Sequence, residues 1–313
     1  MAKFLVTGGA GFIGSNIVET LLKRKHKVRV LDNFSTGKTE NLSGLLSKIE
    51  LVKGDIRNKK AVAKAVKGVD FVLHQAALPS VARSVSDPFT SNEVNVEGTL
   101  NVLLAARDAK VKRVVFAASS SAYGDTPTLP KVETMPAIPL SPYATAKLTG
   151  ENYCRNFYRV YGLETVCLRY FNVFGPKQDP TSFYSAVIPK FIGGLLRGDP
   201  LMVFGDGEQS RDFTYIDNVV SANILACTAP KAAGEVFNIA CGKRYNLNLL
   251  ARTIAEILNR DLEIEYTQPR PGDVKHSLAD INKAKKILKY KVLVDFKEGL
   301  KKTAKWFQKE EKF

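Results

Sequence analysis

The stretch Lys3-Phe-Leu-Val-Thr-Gly-Gly-Ala-Gly-Phe-Ile-Gly14 decides how this chain folds. It opens as a β-rich apolar run and turns into a glycine loop, which leads into a helical pattern over Ile13–Lys23. A glycine pattern alone is weak evidence. Here it lies between a strand and a helix, and Asp32 ends the next strand about 20 residues on, the context of a dinucleotide-binding turn. Gly8 permits the tight turn, Gly11 lets the backbone approach a pyrophosphate, and Gly14 lets helix and sheet pack closely. The helix N-terminus then offers free N–H groups and a partial positive charge to the phosphates. Asp32 can accept from both ribose hydroxyls and would repel a 2′-phosphate. The following Asn33-Phe34-Ser35-Thr36 supplies no arginine to hold one, so the residues favour NAD over NADP.

Outward from this loop, β-rich runs alternate with helical stretches. Strands are expected at Phe4–Thr7, Val28–Leu31, Glu50–Lys53, Phe71–His74, Arg113–Ala117 and Glu164–Arg169. Helices are expected at Lys59–Val66, Asn95–Ala109 and Pro142–Tyr161 between them. Such alternation with near-continuous apolar strands predicts a parallel sheet covered on both faces, an α/β fold of the Rossmann-type, doubly wound kind. Beyond about residue 172 proline and glycine loosen the pattern. A helix is clear again at Leu247–Leu258, with Asn246 as its cap, and another closes the chain from Asp295 to about Lys309. We read 1–172 as the dinucleotide domain, with segments near 210–240 returning to it, and 173–313 mainly as a smaller C-terminal α/β lobe for substrate. The 313 residues, 45% hydrophobic, supply an ample core and exclude a disordered chain. No run of about 18 apolar residues is present to span a membrane. The first strand begins almost at Met1, which argues against a signal peptide. Cys154, Cys167, Cys227 and Cys241 show no CxxC spacing or histidine company. They read as reduced thiols of a cytoplasmic enzyme with no metal site.

Tyr143 and Lys147 stand four residues apart in Ser141-Pro142-Tyr143-Ala144-Thr145-Ala146-Lys147. The proline marks a helix start, so both side chains emerge on one face near its N-terminus. An ammonium close to a phenol stabilises the phenolate and lowers its pKa from about 10, which makes tyrosine a usable acid and base for an alcohol. The spacing by itself is common. Its place after the fifth strand of a dinucleotide fold gives it weight, as does Ser119-Ser120-Ser121 directly after that strand. Asp55 after the third strand either takes an adenine amino group or caps the next turn. His74, at the end of the fourth strand, reads as a packed residue.

These residues resemble the extended short-chain dehydrogenase/reductases, and within them the UDP-sugar 4-epimerases, over nearly the whole chain. The resemblance implies tightly held NAD, oxidation at sugar C4 and a 4-keto intermediate that turns over before the hydride returns to its other face. Carried over by position, Ser119, Tyr143 and Lys147 are the catalytic group, and Ser120 is a helper. The cofactor is expected on Gly8, Gly11, Phe12, Ile13, Gly14, Asp32, Asn33, Ser35, Thr36, Gly37, Asp55, Ile56, Gln75, Ala76 and Ala77. Tyr143, Lys147 and Phe171 are expected nearer its reacting end. Asn172 matches a residue that contacts a substrate phosphate. Arg211 and Arg270 match two arginines that clamp the diphosphate, and Asp273 an acid on the uridine ribose. Val187 and Phe204 lie where a uracil pocket is expected, and Ser80 beside the sugar. Asn95 matches an Asn near the cofactor, with a structural role as its alternative. The resemblance also implies a homodimer built on Asn95–Ala109 and Pro142–Tyr161.

Nucleotide-sugar 4,6-dehydratases, decarboxylases and 4-reductases share this pattern. The dehydratases and decarboxylases carry an acid two residues before the Tyr-Gly of the serine loop, typically an Asp-Glu pair in the dehydratases, and here Ser121 fills that place. Ser277 aligns with the family's size gate, where a bulky tyrosine excludes N-acetyl groups. A small residue leaves room for a 2-acetamido group. Pro79 departs from the glycine of the N-acetyl-type relatives, and the acetamido preference stays open. A non-catalytic dinucleotide sensor is the reading from another class, set against the intact Tyr–Lys pair. The formal charge of +15 comes largely from lysine; residues 283–313 hold 11 Lys against 4 acids. This reads as a solvated face without specific nucleic-acid binding.

Overall fold

The structure is a computed structural model, and it describes residues 1–179, 186–269 and 274–310. In chain order the strands of its main sheet are β1 (Lys3–Thr7), β2 (Lys27–Asp32), β3 (Glu50–Lys53), β4 (Phe71–His74), β5 (Arg113–Ser119) and β6 (Thr165–Tyr170). Short strands follow: β7 (Val173–Phe174), β8 (Leu201–Phe204), β9 (Ser210–Arg211) and β10 (Thr214–Tyr215). The last are β11 (Val236–Ile239), β12 (Tyr245–Asn246) and β13 (Ile264–Thr267). The helices of the first half are α1 (Phe12–Lys23), α2 (Lys59–Val66), α3 (Val81–Ser86), α4 (Pro88–Asn92), α5 (Gly98–Asp108) and α6 (Pro142–Tyr161). Those of the second half are α7 (Val187–Arg197), α8 (Ile216–Thr228), α9 (Leu247–Leu258), α10 (Asn282–Ile287) and α11 (Phe296–Glu310).

Each expected strand of the first half is present. Local chemistry explains where the helices begin. Asn58, Ser80, Asp87, Ser141, Asn246 and Asp295 each accept an N–H of the helix that follows, so these six helices start on a side-chain cap. The helix α6 stops at Gly162, which takes the left-handed conformation (φ 69°) that glycine adopts without penalty.

Seven parallel strands form one sheet in the order β11-β6-β5-β4-β1-β2-β3. The chain builds outward from β1 in one direction, then crosses to β4 and builds in the other. The switch therefore lies between β1 and β4, where a crevice opens beyond their carboxyl ends. The seventh strand, β11, comes from far along the chain and pairs Val236–Ile239 with Cys167–Tyr170. Smaller pairs complete the C-terminal lobe: β7 with β10, β8 with β13, and β9 with β12. Its core includes a cluster of rings in which Phe296 stacks on Tyr245 (4.0 Å between centroids) and on Phe213 (5.7 Å). Among the described residues no helix is long and apolar enough to cross a membrane, and no group of His, Cys, Asp or Glu could hold a metal.

Candidate active site

The glycine loop closes the crevice between β1 and β4. Gly8 has φ +68°, and a Cβ there would lie 2.7 Å from the backbone of Ala76 after β4. A Cβ on Gly14 would sit 2.1 Å from the Gly8 carbonyl oxygen, so only glycine lets α1 settle this close to its own loop. The first turn of α1 has no side-chain cap and no acidic residue, which leaves its N–H groups and its positive end for a ligand. Asp32 is buried, its Oδ2 accepting from Ala10 N (2.8 Å) and its Oδ1 from Phe34 N (2.8 Å). It holds the loop in shape and has lone pairs left to accept further hydrogen bonds. The turn carrying Ser35, Thr36 and Gly37 is fastened to the loop at Ala10, whose carbonyl accepts from Lys38 N (3.0 Å) and Asn41 Nδ2 (2.8 Å). An uncapped helix start, a cradle that Cβ atoms would fill and a carboxylate at the ribose position fit NAD.

Other expected cofactor residues have partners within the protein. Asp55 is bound by Arg57, whose side chain holds its carboxyl down to about 2, and by Asn33 (2.8 Å). It caps its own turn through Arg57 N (2.8 Å). Gln75 joins Tyr170 (3.2 Å) and Asn223 (3.1 Å). Ile56 and Phe171 are buried in the core. Asn95 is buried and grips Leu78 on both sides, accepting from its N–H (2.8 Å) and donating to its carbonyl (3.2 Å).

His74 is packed, as the sequence suggests. Thr99 Oγ1 donates to Asn95 O (2.7 Å), so it accepts from His74 Nε2 (3.1 Å), and Nδ1 accepts from Thr7 Oγ1 (2.7 Å). Burial pushes the imidazole from 6.5 down to about 3. The unfolded chain then binds one more proton than the fold between these values, so stability from His74 is full above pH 6.5 and lost as pH falls toward 3. We expect His74→Gln to unfold at lower urea than wild type at pH 7.5, with the gap closing by roughly 1.4 kcal/mol per pH unit on acidification. A gap that stays constant from pH 7.5 to 4.5 would refute this.

The residues expected to transfer the proton sit at the carboxyl edge of the same sheet. Ser119 ends β5, and Tyr143 and Lys147 lie in the first two turns of α6. Ser121 donates both its O–H (2.8 Å) and its N–H (3.2 Å) to Ser119 Oγ, which leaves the Ser119 hydrogen for another oxygen. Burial raises the Tyr143 phenol, and its hydrogen bond with Ser119 pulls it down. The expected lowering by Lys147 is not seen. Its ammonium is turned to the Ala117 carbonyl (2.8 Å), and burial brings it down to about 8. Lys147 thus places its charge under the strand end rather than on the phenol.

Some of the expected substrate residues meet in the C-terminal lobe. A cleft of about 260 Å³ is lined by Asn172, Val187 and Arg211, three of the expected residues, together with Gln209 and Phe213. Arg211 Nη1 is held by the carbonyls of Ser210 (3.0 Å) and Lys275 (3.1 Å). Phe204 is not among the lining residues, and its carbonyl accepts from Gln209 Nε2 (2.5 Å). Ser277 is anchored beside Arg211 through its N–H to Ser210 O (3.0 Å). Ser80 caps α3 through Arg83 N (3.1 Å), and Ser120 is half-buried at the serine turn. Arg270 and Asp273 lie outside the described residues. Sequence reasoning passed over Asp212, a buried carboxylate that accepts from the N–H groups of Cys241, Gly242 and Ala279. Burial pushes it up to about 6 against the pull of those N–H groups. A larger cleft of about 550 Å³ opens beyond α6, and none of the catalytic candidates line it.

A parallel sheet with an NAD cradle at its switch point and a Ser–Tyr–Lys group at the same edge defines a short-chain dehydrogenase/reductase. The chain belongs to the NAD-dependent epimerase/dehydratase family, whose model matches residues 4–240. It is similar to a UDP-N-acetylglucosamine 4-epimerase from Methanobrevibacter ruminantium M1, solved in complex with UDP-N-acetylmuramic acid. That match has 42% identity and TM-score 0.95, over 99% of each chain. A UDP-glucose 4-epimerase with UDP-glucose from Thermotoga maritima matches with 39% identity and TM-score 0.94, over 98% of this chain and 99% of that one. The UDP-glucose 4-epimerase of Mycolicibacterium smegmatis is 38% identical over 310 residues, 98% of both chains.

Proposed function

We propose that the protein inverts C4 of a UDP-hexose, interconverting UDP-GlcNAc and UDP-GalNAc, UDP-Glc and UDP-Gal, or both. The observation that carries this reading is the serine turn beside Tyr143. Where elimination of water would need a further acid, Ser121 is present, and both its donors are spent on Ser119. The protein can therefore move a proton at one alcohol oxygen and has no carboxyl in this turn for a second. Two relatives that the chain matches over nearly their whole length are UDP-glucose 4-epimerases.

Gly8–Gly14 would hold NAD, which would accept the C4 hydride and give it back to the other face, so that no net oxidation results. The side chains do the rest. Tyr143 Oη takes the proton from substrate O4 and later gives it back. Ser119 donates to the same oxygen and fixes its direction. Lys147, with a pKa of about 8, keeps a positive charge beneath this edge at neutral pH. Asn172 and Arg211, with Arg270 and Asp273, hold the UDP moiety, and the forked guanidinium suits a diphosphate. Ser277 beside Arg211 leaves space for a 2-acetamido group.

The test is to release the bound nucleotide by denaturation, then follow UDP-GlcNAc and UDP-Glc by NMR. NAD in the supernatant and inversion at C4 are expected. UDP-Glc turnover without UDP-GalNAc removes the acetamido part. Bound NAD with a 4-keto-6-deoxy product, or with none, overturns the reading.

A further inference from the structure

The first turn of α6 leaves backbone N–H groups that need partners. Pro142 has none to offer. Ala144 N donates to Ser141 Oγ (3.1 Å), and Thr145 N to Ser141 O (2.9 Å). The remaining donor belongs to Tyr143 itself, and its partner comes from another helix: Tyr143 N donates to Ser84 Oγ at 3.0 Å. Ser84 is fully buried in α3. Its own O–H donates to Val81 O (2.7 Å), so its oxygen is fixed as an acceptor facing Tyr143.

The segment that leads to Ser84 is tied at its other end. Asn95 grips Leu78 through both backbone groups, and Ser80 starts α3 by capping Arg83. The turn 78–84, which holds the sugar-side residue Ser80, therefore runs from a clamp on Leu78 to a clamp on Tyr143. We infer that Ser84 is a positioning residue: its oxygen sets the Tyr143 backbone relative to the sugar-side turn. Where α3 packs against α6, this hydroxyl ties the two elements at the Tyr143 backbone itself. The inference rests on Tyr143 being the proton-transfer group.

The experiment uses the full-length NAD-bound enzyme with Ser84→Ala and Ser84→Thr. Hydrogen exchange of the Tyr143 amide reads the bond directly, and steady-state kinetics reads its effect. In Ser84→Ala that amide should exchange about tenfold faster or more. Misplacement of the phenol should cut kcat about tenfold while KM stays within about twofold. Ser84→Thr keeps the oxygen and should restore both. Unchanged exchange overturns the inference, as does faster exchange with kcat intact, which marks a cap serving only the helix. If wild type turns over no nucleotide sugar, the proposed function fails, and the Tyr143 amide still decides whether the tether exists.

Discussion

Replacing Tyr143 by phenylalanine is expected to lower kcat for C4 inversion by about 10³-fold while bound NAD is retained. The expectation follows from what the ring loses. Phenylalanine keeps the shape that fills the start of α6 and removes the oxygen proposed to exchange a proton with substrate. Positioned general acids and bases contribute about 10²- to 10⁴-fold. Burial holds this phenol protonated in the protein alone, against the downward pull of its bond to Ser119. The glycine cradle is formed by other residues, so released NAD should match wild type. A kcat within about threefold of wild type would remove Tyr143 from the chemistry and favour a sensor built on the same fold.

The largest expected effect on stability belongs to Glu151. It lies one turn beyond Lys147 and meets Arg169 of β6 in a two-pronged pair, Nε to Oε2 at 2.9 Å and Nη2 to Oε1 at 2.7 Å. The side chains are only 3% and 4% exposed. Burial works against the guanidinium charge, and the carboxylate more than restores it. Glu151→Ala leaves that charge with no counter-ion in the interior and should cost about 3–5 kcal/mol in urea unfolding. Glu151→Leu with Arg169→Met removes both charges and should recover most of the loss. A single variant within about 1 kcal/mol of wild type would mean that water reaches the arginine from the neighbouring cleft.

What could be read from the sequence was what local pattern encodes. Strand, glycine loop, helix and Asp32 lie close together in the chain, and each signals its own conformation. Tyr143 and Lys147 are likewise one helical turn apart. The helix α8 was passed over because most of its surface is buried, Asn218 and Asn223 included, so no single apolar stripe shows. The helices α3 and α4 are six and five residues long, too short for periodicity to reveal. The roles of Ser84 and Asp212 depend on N–H groups 29 to 67 residues away in the chain, and no spacing rule reports such a partner. The direction in which Lys147 turns is also tertiary, since the carbonyl that receives it lies on β5.

The neighbouring positions of β6 and β11 bear on how such a protein can be recombined. Everything between Tyr170 and Val236 leaves the sheet at one strand and re-enters beside it. A gene product ended by a single break in that interval would carry β6 as a bare edge, with unpaired backbone groups open to aggregation. It would not be a smaller dinucleotide-binding protein. Exchange of the Asn172–Arg211 region between relatives therefore needs two crossovers, one on each side of the excursion.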